Sequence, residues 1–179
     1  HYSDGRAEIR NEVIHVLEKS FPITRLTVEP RFVELSPENL ERANRESRRL
    51  GAVFRKVTSE IYWDTAFEVP IAGGEGSNFG HRRVFNDQPR NPHSGADISA
   101  TQGTPVRSSN RGKVVVTGDF FFNGNTVILD HGLGIYSVYL HLFRIDVEEG
   151  DMVDKGDTVG LVGATGRVTG PHLHWGFRI

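Results

Sequence analysis

Between residues 104 and 166 glycine recurs at intervals too short for ordinary helices, and no other feature of this sequence limits its fold so tightly. Asn123-Gly124, His131-Gly132, Glu149-Gly150, Lys155-Gly156 and Thr165-Gly166 are turn dipeptides, since glycine adopts the left-handed backbone that tight turns demand. The runs between them (104–108, 112–117, 125–130, 135–142 and the strands within 147–162) are rich in β-branched and aromatic residues. With 20 glycines and 8 prolines in 179 residues, this pattern predicts one sizeable, mainly β domain of short strands rather than a helical bundle.

The first third reads differently. Residues 7–28 mix Ile9, Val13, Ile14, Val16, Leu26 and Val28 with charge, which predicts two strands or a loose hairpin broken at Phe21-Pro22. Ser36-Pro37-Glu38 is a helix start: an N-cap hydroxyl, a proline at the first helical position and an acid facing the positive helix end. The helix is expected from 37 to about 50, stopped by Gly51, with a thin apolar stripe of Leu40, Ala43 and Leu50 and a solvated face of Glu and Arg. Residues 1–60 are thus expected to form a small α+β accessory segment, and residues 61–179 the main domain. Between them, residues 73–80 hold four glycines in a loop able to approach a ligand closely, without the Gly-Lys-Ser/Thr ending of a phosphate cradle.

Several function classes fall away. A formal net charge of −2 gives no electrostatic preference for nucleic acid. Without cysteine there is no disulfide framework and no thiolate metal site, so any metal is held by His and carboxylate. No apolar run approaches the roughly 20 residues of a membrane span. The chain begins at His1 without a basic, apolar leader, and is expected to be a trimmed or processed fragment.

The histidines are distributed with purpose. In Pro171-His172-Leu173-His174-Trp175, strand alternation points His172 and His174 into one cleft while Leu173, Trp175 and Phe177 face apolar packing. Pro92 and Gly95 break any helix across His93 and Asp97, so a turn is expected to swing His93 back over Asp97 at the entry of a strand. In 135–143, period two sets Ser137, Tyr139, His141 and Phe143 on one face and Tyr136, Val138, Leu140 and Leu142 on the other. The second is expected to be the core face, leaving His141 in a polar cleft. His131, His1, His15 and His81 are read as structural. Two imidazoles and a carboxylate, from His93, Asp97 and His174, make a three-ligand zinc set with an open fourth position. His141 and His172 then suit general acid/base work and oxyanion stabilisation.

These motifs resemble the lysostaphin-type cell-wall endopeptidases. The resemblance runs through Phe79-Gly80-His81-Arg82, Pro92-His93-Ser94-Gly95-Ala96-Asp97, Gly103-Thr104-Pro105-Val106, Tyr139-Leu140-His141-Leu142 and Gly166-x-x-x-Gly170-Pro171-His172-Leu173-His174, covering about residues 61–179. It implies one zinc per chain on His93, Asp97 and His174, and catalytic roles for His141 and His172. It further implies an antiparallel barrel-sandwich hybrid fold, peptidoglycan peptides as substrate, and a periplasmic or extracellular location in the cell envelope. A monomer is expected, and residues 1–60 fall outside the resemblance.

Two other readings compete. Residues 147–160 are similar to lipoyl or biotinyl carrier strands, with Lys155 as the modified residue, but that reading leaves the five site residues idle. A non-catalytic wall-binding or activator module of the same fold is the other. Within the endopeptidase reading, Arg82, Arg83 and Arg90 lie on the loops before His93. Guanidinium pairs bidentately with carboxylate, so they are expected to bind substrate and to favour D,D-endopeptidase action on cross-links bearing free carboxylates over glycine bridges.

Overall fold

The computed structural model describes Val13 and residues 15–179. The chain runs through β1 (Ile23–Leu26), α1 (Pro37–Phe54), β2 (Arg82–Phe85), β3 (Gln88–Pro89), β4 (Ala96–Ser99), β5 (Pro105–Arg107), β6 (Gly112–Phe120), β7 (Gly124–Gly132), β8 (Ile135–Ile145), β9 (Met152–Val153), β10 (Thr158–Val162) and β11 (His172–Arg178). A large sheet follows the order β4-β11-β8-β7-β6-β9, with β10 joined to β8 and to β5, and every pairing in it is antiparallel. The predicted antiparallel β architecture is therefore present. No described helix is long and apolar enough to cross a membrane.

Both faces of the large sheet are covered, and β7 shows how. Val127 and Leu129 enter an inner core with Ile98, Val106, Val114, Tyr139, Leu142, Val159 and Leu173. Ile128, between them, turns to the other side and packs with Val116, Phe120 and Tyr136 against Leu50, Val53 and Phe54 of α1. Alternation with apolar residues on both faces is what a doubly covered strand requires.

Helix α1 starts as predicted: the Ser36 hydroxyl accepts from the Asn39 N–H at 3.3 Å and Pro37 opens the first turn. It does not stop at Gly51 but continues to Phe54. A glycine inside a helix costs about 1 kcal/mol relative to alanine, and the partial burial of Val53 and Phe54 against the sheet offsets it.

The expected hairpin in 7–28 does not form within the described residues, and much of its first half lies outside them. Instead β1 pairs in parallel with β2, Thr24 opposite Arg83, and β2 turns into β3. A parallel partner needs a long crossover, which residues 27–81 and their helix supply. Val28, Phe32, Phe85 and Phe121 close a third core between this small sheet and the end of β6.

In β8 the core-face expectation fails. Tyr139, assigned to the polar face, is fully buried in the inner core, and Leu142 joins it there. Tyr139 lies inward because both faces of β8 are packed, with Tyr136 and Val138 on the α1 side, and Leu142 follows it because His141, at φ 66°, interrupts the alternation at a register shift against β7. The inserted residue flips the parity of everything after it.

Candidate metal and catalytic centre

The site is assembled by register. Antiparallel β4 and β11 place Asp97 directly opposite His174 and Ser99 opposite His172, so the carboxylate and both imidazoles share one face. Leu173, on the other face, is fully buried in the inner core. His93 arrives from the preceding loop, which is tied to residues 80–81: Gly80 N–H donates to the His93 carbonyl at 2.9 Å and His93 N–H to that of His81 at 3.0 Å. At Gly95 the loop passes so near β11 that a Cβ would lie 2.6 Å from His174 Nε2 and 2.6 Å from the Trp175 carbonyl oxygen. Glycine is the residue that fits there.

Three donor atoms converge. His93 Nε2 lies 2.8 Å from His174 Nδ1 and 3.1 Å from Asp97 Oδ1, and His174 Nδ1 lies 3.0 Å from the same carboxylate oxygen. These residues are the group of potential metal donors among the described residues. Their surroundings suit a cation. His93 Nδ1 donates to the Asn78 carbonyl at 3.1 Å, which fixes the tautomer and leaves the Nε2 lone pair facing the cluster. Asp97 Oδ2 accepts from Arg83 Nη2 at 2.6 Å and Asn78 Nδ2 at 3.1 Å, leaving Oδ1 to face the imidazoles. Burial alone would raise the Asp97 carboxyl, but its polar contacts with His174 and His93 and the charge of Arg83 hold it well below the usual carboxylate range.

The other two histidines are set by one device. His141 Nδ1 donates to the Thr165 carbonyl at 2.9 Å and His172 Nδ1 to the Gly170 carbonyl at 2.9 Å, which sets the tautomer in which the neutral ring carries its lone pair on Nε2. Their rings lie 5.0 Å apart, and His141 is 6.1 Å from the His174 ring. Burial, then the neighbouring charges of His172 and His174, push His141 down to about 3, and it is neutral at working pH. Burial also lowers His174, against the opposing pull of Asp97.

Two cavities open on this cluster. The first, of about 300 Å³, is lined by Arg83, Arg90, His93, His141, Arg167 and His174, and by Phe85 and Phe122. The second, of about 260 Å³, adds Asp97 and His172 and shares Arg83, His141 and Arg167. Of the three arginines expected from the sequence, Arg83 and Arg90 line these cavities, while Arg82 is exposed on β2 and lines neither. Sequence reasoning missed Arg167, Asn78 and the Thr165 carbonyl. Thr165-Gly166 was legible only as a turn, and nothing in local pattern reveals that Asn78 meets residues 15 and 19 positions away through both its carbonyl and its amide.

His131 is buried, with Nδ1 on the Arg111 carbonyl at 2.8 Å and Nε2 on Ser137 Oγ at 2.7 Å, remote from the cluster. Lys155 Nζ is held by the Ala66 carbonyl at 2.8 Å and Glu68 at 2.7 Å, which is unlike the free hairpin tip that a carrier lysine needs.

Residues 91–179 match the model of Peptidase family M23. Across 97% of this chain the sequence is 33% identical to peptidoglycan DD-endopeptidase ShyB of Vibrio cholerae, covering 36% of that protein. A zinc containing peptidase from Vibrio cholerae superposes with a TM-score of 0.59 at 36% identity, over 64% of this chain and 37% of that one. The antimicrobial peptidase lysostaphin from Staphylococcus simulans does so with a TM-score of 0.52 at 30% identity, over 63% and 46%. The chain spans only 23% and 36% of the length of two curated relatives that it matches. On its motifs, the matched model and the fold, residues 91–179 form a domain of peptidase family M23.

Proposed function

We propose that this chain is a zinc-dependent D,D-endopeptidase that hydrolyses peptide cross-links of bacterial peptidoglycan in the cell envelope, with the endopeptidase domain at 61–179 and an accessory segment at 1–60. The observation that carries this reading is the convergence of His93 Nε2, Asp97 Oδ1 and His174 Nδ1 beside two further histidines whose Nδ1 atoms are anchored on backbone carbonyls. The relative ShyB bears the name of a peptidoglycan DD-endopeptidase.

His93, Asp97 and His174 hold the metal in this reading. Bound there, zinc lowers the pKa of a coordinated water toward about 7 and polarises a carbonyl oxygen. The chain's own residues do the rest. Neutral His141 takes a proton at Nε2 and delivers it to the departing amine, its Nδ1–H anchored by Thr165 throughout. His172, pinned by Gly170 with its ring 5.0 Å from that of His141, offers Nε2 and, once protonated, donates to the oxygen on which charge develops. Arg83 holds Asp97 ionised, and Arg83 and Arg90, with Arg82 further out on β2, supply positive charge toward substrate carboxylates.

The test is digestion of purified peptidoglycan by the zinc-loaded chain, followed by mass spectrometry. Release of monomers from dimeric muropeptides with D-alanyl to diaminopimelate bonds supports the proposal. Cleavage confined to pentaglycine bridges overturns the choice of bond, and absence of any cleavage overturns the enzymatic reading.

A further inference from the structure

Arg167 lines the first cavity and is fixed before any ligand arrives. Its guanidinium lies over two aromatic rings, 4.7 Å from the Phe85 centroid and 4.5 Å from that of Phe122, an arrangement in which the cation is attracted by the ring faces. Its backbone is fixed too. Gly166, at φ 75°, lies so close to Gly124 and the Phe122 carbonyl that a Cβ would clash, and the Arg167 N–H donates to that carbonyl at 2.9 Å. The stacked faces leave the N–H edges for a partner, yet among the described residues Arg167 forms no side-chain hydrogen bond or ion pair.

The neighbourhood explains what partner is missing. Arg83 and Arg90 line the same cavity, and no carboxylate among the described residues lines it. Arg83 is committed to Asp97, and Arg90 bonds only the neutral Gln88 amide at 2.9 Å. Arg90 Nε and Arg83 Nε are both buried without a hydrogen-bond partner. Burial, then the charges of Arg90 and Arg83, lower Arg167 to about 10, so it remains charged. Two guanidinium groups without a counter-ion, one of them stacked rigidly, form a preorganised anion receptor opening onto the candidate metal cluster.

We propose that Arg167, together with Arg90, binds a carboxylate of the substrate peptide beside the scissile bond, and so selects acid-bearing over amidated peptides. The inference rests on the endopeptidase reading for the peptide's identity: in a D,D bond the carbon attached to the scissile nitrogen carries a free carboxylate. The positive, acid-free cavity is independent of that reading.

The experiment compares N-acetyl-D-alanyl-D-alanine with its C-terminal amide, titrated calorimetrically into the zinc-loaded chain. The acid binds about 10- to 100-fold more tightly, the scale of hydrogen bonds to a charged group. Arg167→Gln and Arg90→Gln, each with zinc content and melting temperature checked, narrow that gap to under about threefold. Arg167→Lys leaves it intermediate, since charge is kept and the fork lost. Equal affinity of the unaltered chain for acid and amide overturns the proposal without recourse to any variant. An acid preference that survives both Gln substitutions overturns it as well, because the carboxylate is then held elsewhere. Muropeptide digestion run alongside separates the two readings: acid selectivity with no cleavage keeps the subsite and rejects the endopeptidase, whereas cleavage with no selectivity rejects the subsite alone.

Discussion

His93 and Asp97 are four positions apart and meet through a turn, whereas His174 reaches them across a strand pairing; removing any of them leaves two donors where three stood. His93→Ala and Asp97→Ala are therefore expected to lose zinc and activity together, read by metal analysis and muropeptide digestion. His141→Ala and His172→Ala are expected to retain zinc and lose about 10²–10⁴ in rate. A zinc-free His172→Ala protein would reverse the roles within that pair. Gly95→Ala has a distinct signature. The added methyl meets the His174 ring and a backbone oxygen, so zinc affinity is expected to fall about 10- to 100-fold, as for other changes that displace a ligand from behind, while the fold persists. At this scale the sequence was informative about donors and silent about what orients them. Spacing placed His172 and His174 on one face and turned His93 over Asp97. It assigned His141 to the cleft by alternation, whereas a left-handed bulge brings it there. Arg167 was invisible, because its meaning lies in two phenylalanines and an arginine far along the chain.

Among the elements, helix α1 departs from its sequence-based reading at its C-terminal end. A thin stripe of Leu40, Ala43 and Leu50 suggested partial docking and a stop at Gly51. The docking is indeed partial, with no helix residue buried, but half-buried Val53 and Phe54 carry the packed stripe past Gly51, and Tyr136 donates its hydroxyl to the Lys56 carbonyl at 2.6 Å just beyond the helix. Propensity is a local quantity, and it was overruled by a sheet face that only the folded chain creates. Deleting the chain up to Ser59 uncovers Val116, Phe120 and Ile128 and removes Val28 and Phe32 from beside Phe85. The truncated protein is accordingly expected to melt well below the full chain and to bind a hydrophobic dye. Phe54→Ala alone, which removes an edge-on contact to Tyr136 at 5.5 Å, is expected to cost about 2–3 kcal/mol in urea denaturation, below the range for a wholly buried phenylalanine. A truncated domain as stable as the full chain would return the segment to the accessory role read from its sequence. The short turns of β6 to β8, by contrast, were legible residue by residue, since each is set by its own glycine.

The molecule as a whole carries an acid sensitivity in His131. Its burial lowers the folded pKa below the unfolded value of 6.5. The unfolded chain therefore takes up the proton first, so this contribution to stability is complete above about pH 6.5 and lost as pH falls through the window beneath it. Thermal denaturation of the metal-loaded protein from pH 7.5 to 5.5 is expected to show a falling midpoint, and His131→Gln a shallower fall. Equal slopes would remove His131 from the account. The order of strands also has a temporal consequence. β6, β7 and β8 follow one another and pair across short turns, but Asp97 and His174 are 77 residues apart and meet only when β4 closes onto β11. Closing so long a loop is entropically unfavourable until the intervening sheet has shortened it, so the donor set is the last thing the chain completes. On the proposed zinc reading, the metal would then bind after the folding barrier has been crossed. It should leave the refolding rate from urea unchanged and slow unfolding alone, which stopped-flow fluorescence with and without the metal can read. A refolding rate that rises with zinc would mean the histidines gather early. Otherwise the metal acts as a latch on a finished frame, lengthening the life of the native state without helping to reach it.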